Sequence, residues 1–195
     1  MWSSFIEGAH HRIMCEQFNK IAKGELKRVI INMAPRHSKS EMSSYMLPSW
    51  LLGIRPDLKI IQATHTGELA VRFGRKVRDL VDTREYKEIF PNVSLRADSK
   101  AAGRWETTEG GEYFASGVGG AITGRGADIL IIDDPHSEQD ALSETAMEMA
   151  YEWYTSGPRQ RLQPGGVIIL VMTRWSKKDL TGQLLKAQML SLIHI

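Results

Sequence analysis

Four short apolar runs punctuate the chain, each bounded by polar or turn-forming residues. They are KRVIINM (27–33), LKIIQAT (58–64), DILIID (128–133) and GVIILVM (166–172). Their β-branched content and short length predict strands rather than helices. Nearly continuous apolar runs suit parallel strands covered on both faces. The stretches between them carry helical period. GELAVRFGRKVRDLVD (67–82) places Leu69, Phe73, Val77 and Leu80 on one stripe. Residues 140–155 bring Leu142, Met149 and Trp153 near one face, and Ser143 before Glu144 is compatible with an N-terminal cap. MSSYMLPSWLLG (42–53) and FIEGAHHRIMCEQFNKIAKGE (5–25) also read as helical. Strands alternating with helices predict an α/β sheet with right-handed crossovers.

One segment departs from this alternation. Residues 91–127 lack helical period and hold eight glycines. EYFASG (112–117) is a possible extra strand, and VGGAITGRGA after it reads as loop. A loop of that length in a compact domain is usually functional. No internal repeat, linker or second domain is visible.

With 195 residues, 42% hydrophobic and 25% charged, the composition is that of one globular domain. The net charge of +2 excludes a highly basic tail-like protein but leaves room for a local basic face. Such a cluster is Arg72, Arg75, Lys76 and Arg78, which reads either as a DNA-phosphate contact or as a solvated helix face. No apolar run is long enough to span a bilayer, so no membrane role is expected. The single cysteine, Cys15, forms no internal disulfide, fits a reducing compartment and is expected to be buried. The six histidines have no cysteine partners at zinc-site spacing.

Three strand ends carry candidate chemistry. The first strand runs into APRHSKSE (34–41) and then a helix. A strand, a tight loop and Lys-Ser at a helix start is the geometry of a phosphate-binding loop, in which backbone N–H groups hold phosphate oxygens. Lys39 would meet the β and γ phosphates and Ser40 would hold Mg²⁺. Met33 and Ser38 stand where the usual pattern has glycine, so a plain βα turn with a surface lysine is the competing reading. ADILIIDDPH (127–136) ends a strand in two carboxylates, with Asp133 placed to serve the metal and Asp134 to polarise water. An aspartate turn before Pro135 is the alternative. VIILVMTRW (167–175) ends in Thr173 and Arg174, candidates for contacting the γ-phosphate and relaying that contact, or simply a strand cap and a surface arginine. Polar groups at three strand C-termini fit the rule that open α/β sheets bind ligands there.

Together NMAPRHSKSE, GGAITGRGADILIIDDPH and VMTRWSKKDLTGQLL resemble the large terminase subunit of tailed bacteriophages, over nearly the whole chain. The loop of that family commonly reads PPRHGKSE, so Ser38 replaces a glycine. The resemblance implies a P-loop NTPase fold of the additional-strand type, with the third-motif strand between the phosphate-loop and acid strands. It implies that Pro35, Arg36, His37, Ser38, Lys39, Ser40 and Glu41 cradle ATP, with Arg36 as the loop arginine. By the same resemblance Ser40 and Asp133 take Mg²⁺, Asp134 is the catalytic acid, and Thr173 and Arg174 form the coupling motif. Arg125 is then a candidate to act across a subunit boundary, or a solvent-facing loop residue. Gln17 borders the adenine or belongs to an amphipathic packing helix.

The resemblance further implies ATP-driven movement of double-stranded DNA into a procapsid in the host cytoplasm. The partners it implies are a portal protein, a small terminase subunit and further copies of the chain in a ring. It makes residues 1–189 the ATPase half, ending before a nuclease domain. LSLIHI (190–195) resembles a translated sequencing adapter and is expected to be a non-native tail. A helicase-like or recombination ATPase, and a nucleotide-binding subunit without hydrolysis, are the alternatives.

Overall fold

The computed structural model describes residues 5–122 and 124–187, with the backbone of 193–194. Other residues of the expected non-native tail lie outside the described set. In chain order the elements are α1 (Ala9–Ala22), β1 (Arg28–Asn32), a π-wound turn (Glu41–Met46) continuing into α2 (Leu47–Ile54), and β2 (Lys59–Thr64). Next come α3 (Gly67–Val81), α4 (Arg84–Ile89), β3 (Leu95–Ala101), β4 (Arg104–Thr107) and β5 (Glu112–Gly117). The chain continues through β6 (Ala127–Asp133), α5 (Glu144–Ser156), β7 (Leu162–Met172), α6 (Leu180–Ala187) and the two-residue β8 (Ile193–His194).

All eight strands form one sheet in the order β3-β4-β5-β2-β6-β7-β1-β8. From β5 to β8 every pairing is parallel, while β4 runs antiparallel to both β3 and β5. β7 lies between β1 and β6, so the third-motif strand separates the phosphate-loop strand from the acid strand. This is an α/β fold of the P-loop NTPase kind, with helices on both faces of a mostly parallel sheet.

Alternation along each strand divides the core in two. Val29 and Ile31 of β1, with Ile129 and Ile131 of β6, pack against Met14, Phe18, Leu51 and Val77 from α1, α2 and α3. Ile30, Leu130, Ile132 and Leu170 face the other way, onto Tyr154 of α5 and Leu180 and Leu184 of α6. The four expected strands and the helices form within a few residues of their expected bounds. The apolar stripes are rotated from those expected. On α3 the buried residues are Ala70, Phe73, Gly74, Val77 and Val81. On α5 they are Met147, Ala150 and Tyr154, while Met149 and Leu142 are exposed. Small residues, Ala70, Gly74 and Ala150, let those helices lie close to the sheet, which a stripe drawn through the largest side chains misses. Cys15 is exposed, one residue off the buried Met14–Phe18–Ile21 stripe of α1.

The segment 91–127 is not one long loop. It holds three strands and a short crossover. Trp105 on β4 stacks on Tyr113 of β5 (centroids 5.1 Å apart) and donates its indole N–H to the Gly74 carbonyl at 3.1 Å. A Cβ at Gly74 would sit 2.6 Å from the Ala102 carbonyl oxygen, so glycine permits this approach. The glycine-rich stretch after β5 returns the chain to the start of β6, anchored by the buried Ile122 and by the Trp153 indole N–H donating to the Gly120 carbonyl.

Candidate functional site

β1 ends at Asn32, and the loop after it turns through two left-handed residues, Arg36 and Ser38, each at φ 63°. The backbone therefore has the curvature that glycine usually supplies in such a loop, with Ser38 adopting it despite its Cβ. A helix starts at Lys39 and passes through the π-wound turn just before Pro48. Proline lacks an N–H and crowds the preceding turn, so the wider winding accommodates it. The first N–H groups of this helix have no intrahelical partner and face the C-terminal edge of the sheet.

The two acids at the end of β6 diverge, as successive strand residues must. Asp133 is 2% exposed and points beneath the loop helix. Its Oδ1 accepts from Ser40 Oγ at 3.0 Å and its Oδ2 from Ser44 Oγ at 2.8 Å. Burial, then the charge of Asp134, pushes the Asp133 carboxyl up to about 7, against the hydroxyl donors and Lys39. A cation at this carboxylate would reverse that cost. Asp134 turns the other way, at φ 42°. Its Oδ2 pairs with Lys39 Nζ at 2.8 Å and its Oδ1 accepts from the Thr173 N–H at 3.0 Å. Thr173 Oγ1 donates to the Met33 carbonyl at 3.2 Å, tying the end of β7 to the start of the loop.

Lys39, Asp134 and Thr173 line one open cleft of about 480 Å³, with His65, His136 and Trp175 on its walls. Pro35 lies on its rim. Ser40 and Asp133 form an adjoining pair of hard oxygen donors. Among the described residues no group of three or more His, Cys, Asp or Glu forms a metal cage. Two protein oxygens suit Mg²⁺, which completes its shell with phosphate oxygens and water.

Other expected site residues lie at or away from this cleft. His37 is exposed, its Nδ1 2.8 Å from the Pro35 carbonyl and its ring 5.9 Å from that of His10. Arg36 is exposed. Glu41 is engaged by Lys76 of α3 at 2.7 Å, which removes Lys76 from the expected basic face. Arg78 pairs with Asp79, leaving Arg72 and Arg75 exposed. Gln17 is buried on α1 with an unpartnered Oε1 and does not line the cleft. Arg174 leaves the cleft to pair with Asp179 at 2.9 Å. Arg125 is furthest away. It is paired with Glu112 at the N-terminal end of β5 and lies over the Phe114 ring at 4.2 Å. β6 separates it from Asp133 by roughly 20 Å at ~3.3 Å per residue. The sheet therefore puts Arg125 at the edge opposite its own chain's cleft.

Four residues near the cluster were not singled out from sequence. Ser44 follows Ser40 by four positions, the spacing that puts two side chains on one helix face. Gln62 is a polar residue inside the otherwise apolar KIIQAT strand. The His65 backbone N–H donates to the Asp134 carbonyl at 3.2 Å, and His136 Nε2 accepts from the Leu180 N–H at 2.9 Å. Burial lowers the pKa of His136. Ser44 and Gln62 were legible as pattern breaks, whereas nothing local marks the two histidines.

No protein-family model and no curated protein matches this sequence. Among solved structures, the crystal structure of the HK97 bacteriophage large terminase is similar, with a TM-score of 0.61 and 12% identity over 97% of this chain. The chain spans 39% of the length of that terminase chain. In fold, this chain is similar to part of a bacteriophage large terminase.

Proposed function

We propose that this chain is the ATP-hydrolysing motor portion of a viral DNA-packaging terminase. The observation that carries the reading is the meeting of Lys39 and Ser40 with Asp133, Asp134 and Thr173 at one edge of the sheet, from three separate strand ends. In this reading the loop N–H groups and Lys39 bind the ATP phosphates, and Ser40 and Asp133 hold Mg²⁺. Held there, Mg²⁺ would supply neutralisation of phosphate charge. Lys39 exchanges Asp134 for the γ-phosphate, freeing the Asp134 carboxylate to orient water for in-line attack. Thr173 keeps Asp134 in register with the loop through its two hydrogen bonds. Double-stranded DNA would be held through its phosphates, without sequence readout. A portal protein, a small terminase subunit and a ring of copies on the procapsid are the partners this function requires, in the host cytoplasm. Among the described residues no helix is long and apolar enough to cross a membrane.

The test is nucleotide-dependent thermal stabilisation together with phosphate release. Lys39→Ala is expected to abolish stabilisation by Mg·ATP. Asp134→Asn is expected to retain it and stop phosphate release. Full stabilisation of Lys39→Ala would refute the site. A nucleotide-binding subunit without hydrolysis is the second reading, favoured by Ser38 in the left-handed region. Nucleotide-dependent stabilisation of the parent without any phosphate release would establish it instead.

A further inference from the structure

Gln62 is fully buried in the middle of β2. Its register partners are Ala115 on β5 and Ile131 on β6, and Ile61 and Ala63 flank it. Its Nε2 donates to Ser44 Oγ at 3.1 Å, while its Oε1 has no hydrogen-bond partner. A half-satisfied amide in a central strand is a poor structural choice, since a leucine would fill the space without an orphaned acceptor. The amide does, however, set the direction of a buried chain. Ser44 has one hydroxyl proton. With its oxygen accepting from Gln62, that proton goes to Asp133 Oδ2 at 2.8 Å. Asp133 Oδ1 then takes the Ser40 proton at 3.0 Å, which leaves the Ser40 oxygen lone pairs free for a cation.

We propose that Gln62, acting through Ser44, is a positioning residue for the divalent-cation site formed by Asp133 and Ser40. This rests on the reading of the cleft as a Mg·ATP site. Gln62 touches neither nucleotide nor metal. It fixes the hydroxyl that fixes the carboxylate. Outer-shell partners of this kind usually change metal affinity by about 10–100-fold.

The experiment measures the Mg²⁺ concentration for half-maximal ATP binding by titration calorimetry. Affinity for ADP in EDTA and the melting temperature are measured alongside. Gln62→Leu and Ser44→Ala are each expected to raise the Mg²⁺ half-saturation about tenfold. Their ADP affinity in EDTA should stay at the parent value, and Ser44→Thr should restore the Mg²⁺ response. Should Gln62→Leu fail to fold, Ser44→Ala decides. A parent-like Mg²⁺ half-saturation in either folded variant overturns the proposal. Equal loss of affinity with and without Mg²⁺ also overturns it, because that marks a general structural role. If the parent binds ATP through Lys39 yet the variants are unchanged, only the positioning role falls. If the parent's ATP binding is indifferent to Mg²⁺, the metal site and the positioning role fall together.

Discussion

Ser38 holds a left-handed backbone, at φ 63°, that its sequence position in the loop demands and its side chain resists. That conformation costs a non-glycine residue about 1–2 kcal/mol. Glycine would remove the cost but adds unfolded-state freedom worth about 0.5–1 kcal/mol. Ser38→Gly is therefore expected to raise unfolding free energy by about 0.5–1 kcal/mol in urea titrations. Because the loop holds this backbone before any ligand arrives, ATP affinity should stay near the parent value. Weaker binding by the glycine variant would mean instead that the Ser38 hydroxyl serves the phosphate. At this scale the sequence was informative wherever residue type and strand end coincide, as at Lys39, Asp133, Asp134 and Thr173. It was blind to Lys39 turning onto Asp134, because a contact between residues 95 positions apart depends on sheet order, not on local pattern.

At the scale of elements, the turn from β7 into α6 is organised by one carboxylate. Asp179 is fully buried and accepts from the backbone N–H groups of Trp175, Ser176 and Gly182 and from Arg174 Nε. Burial alone would raise its pKa, but these donors outweigh it and hold the carboxyl below the ordinary 3.8. A depressed native pKa gives stability that is present above the unfolded value and is lost as pH falls through the native one. Asp179→Asn is expected to cost about 2 kcal/mol at neutral pH. The gap from the parent should close in acid, below the ordinary carboxylate pKa. A constant gap across the acid range, seen in denaturation series, would contradict this account. The four parallel strands were readable from their apolar runs, and α3 and α5 from their period. β3 and β4 were not, since LRADSKA and RWET are exposed or short and depend on docking against α3 through Trp105.

At the scale of the whole molecule, the sheet separates two edges with different work. The cleft lies at the C-terminal edge, and Arg125 with Glu112 and Phe114 lies at the other. Arg125→Ala is expected to leave Mg·ATP affinity of the same chain unchanged. It should lower stability by about 1 kcal/mol through the lost pair and ring contact. Calorimetry and denaturation of that variant check both halves, and a fall in Mg·ATP affinity would show that the opposite edge reaches the cleft. The glycine-rich motif around Arg125 looked, in one dimension, adjacent to the acids. The strand between them carries it across the full width of the sheet.

The position of β7 between β1 and β6 also dictates when the molecule can be finished. β1 is made early, yet its register partners Ile168–Met172 are among the last parts of the sheet to leave the ribosome. Until then β1 has an apolar edge and no neighbour, while β2, β5 and β6 can already pair with one another. The long closure required makes this the slow, high-contact-order step of assembly. A nascent chain halted before β7 would carry the whole loop 34–41 and both acids, and still lack the cleft wall that Thr173 and Trp175 supply. In the proposed reading, ligand capture is thus the signature of a completed sheet, and the unpaired early strand is the segment a chaperone would have to shield.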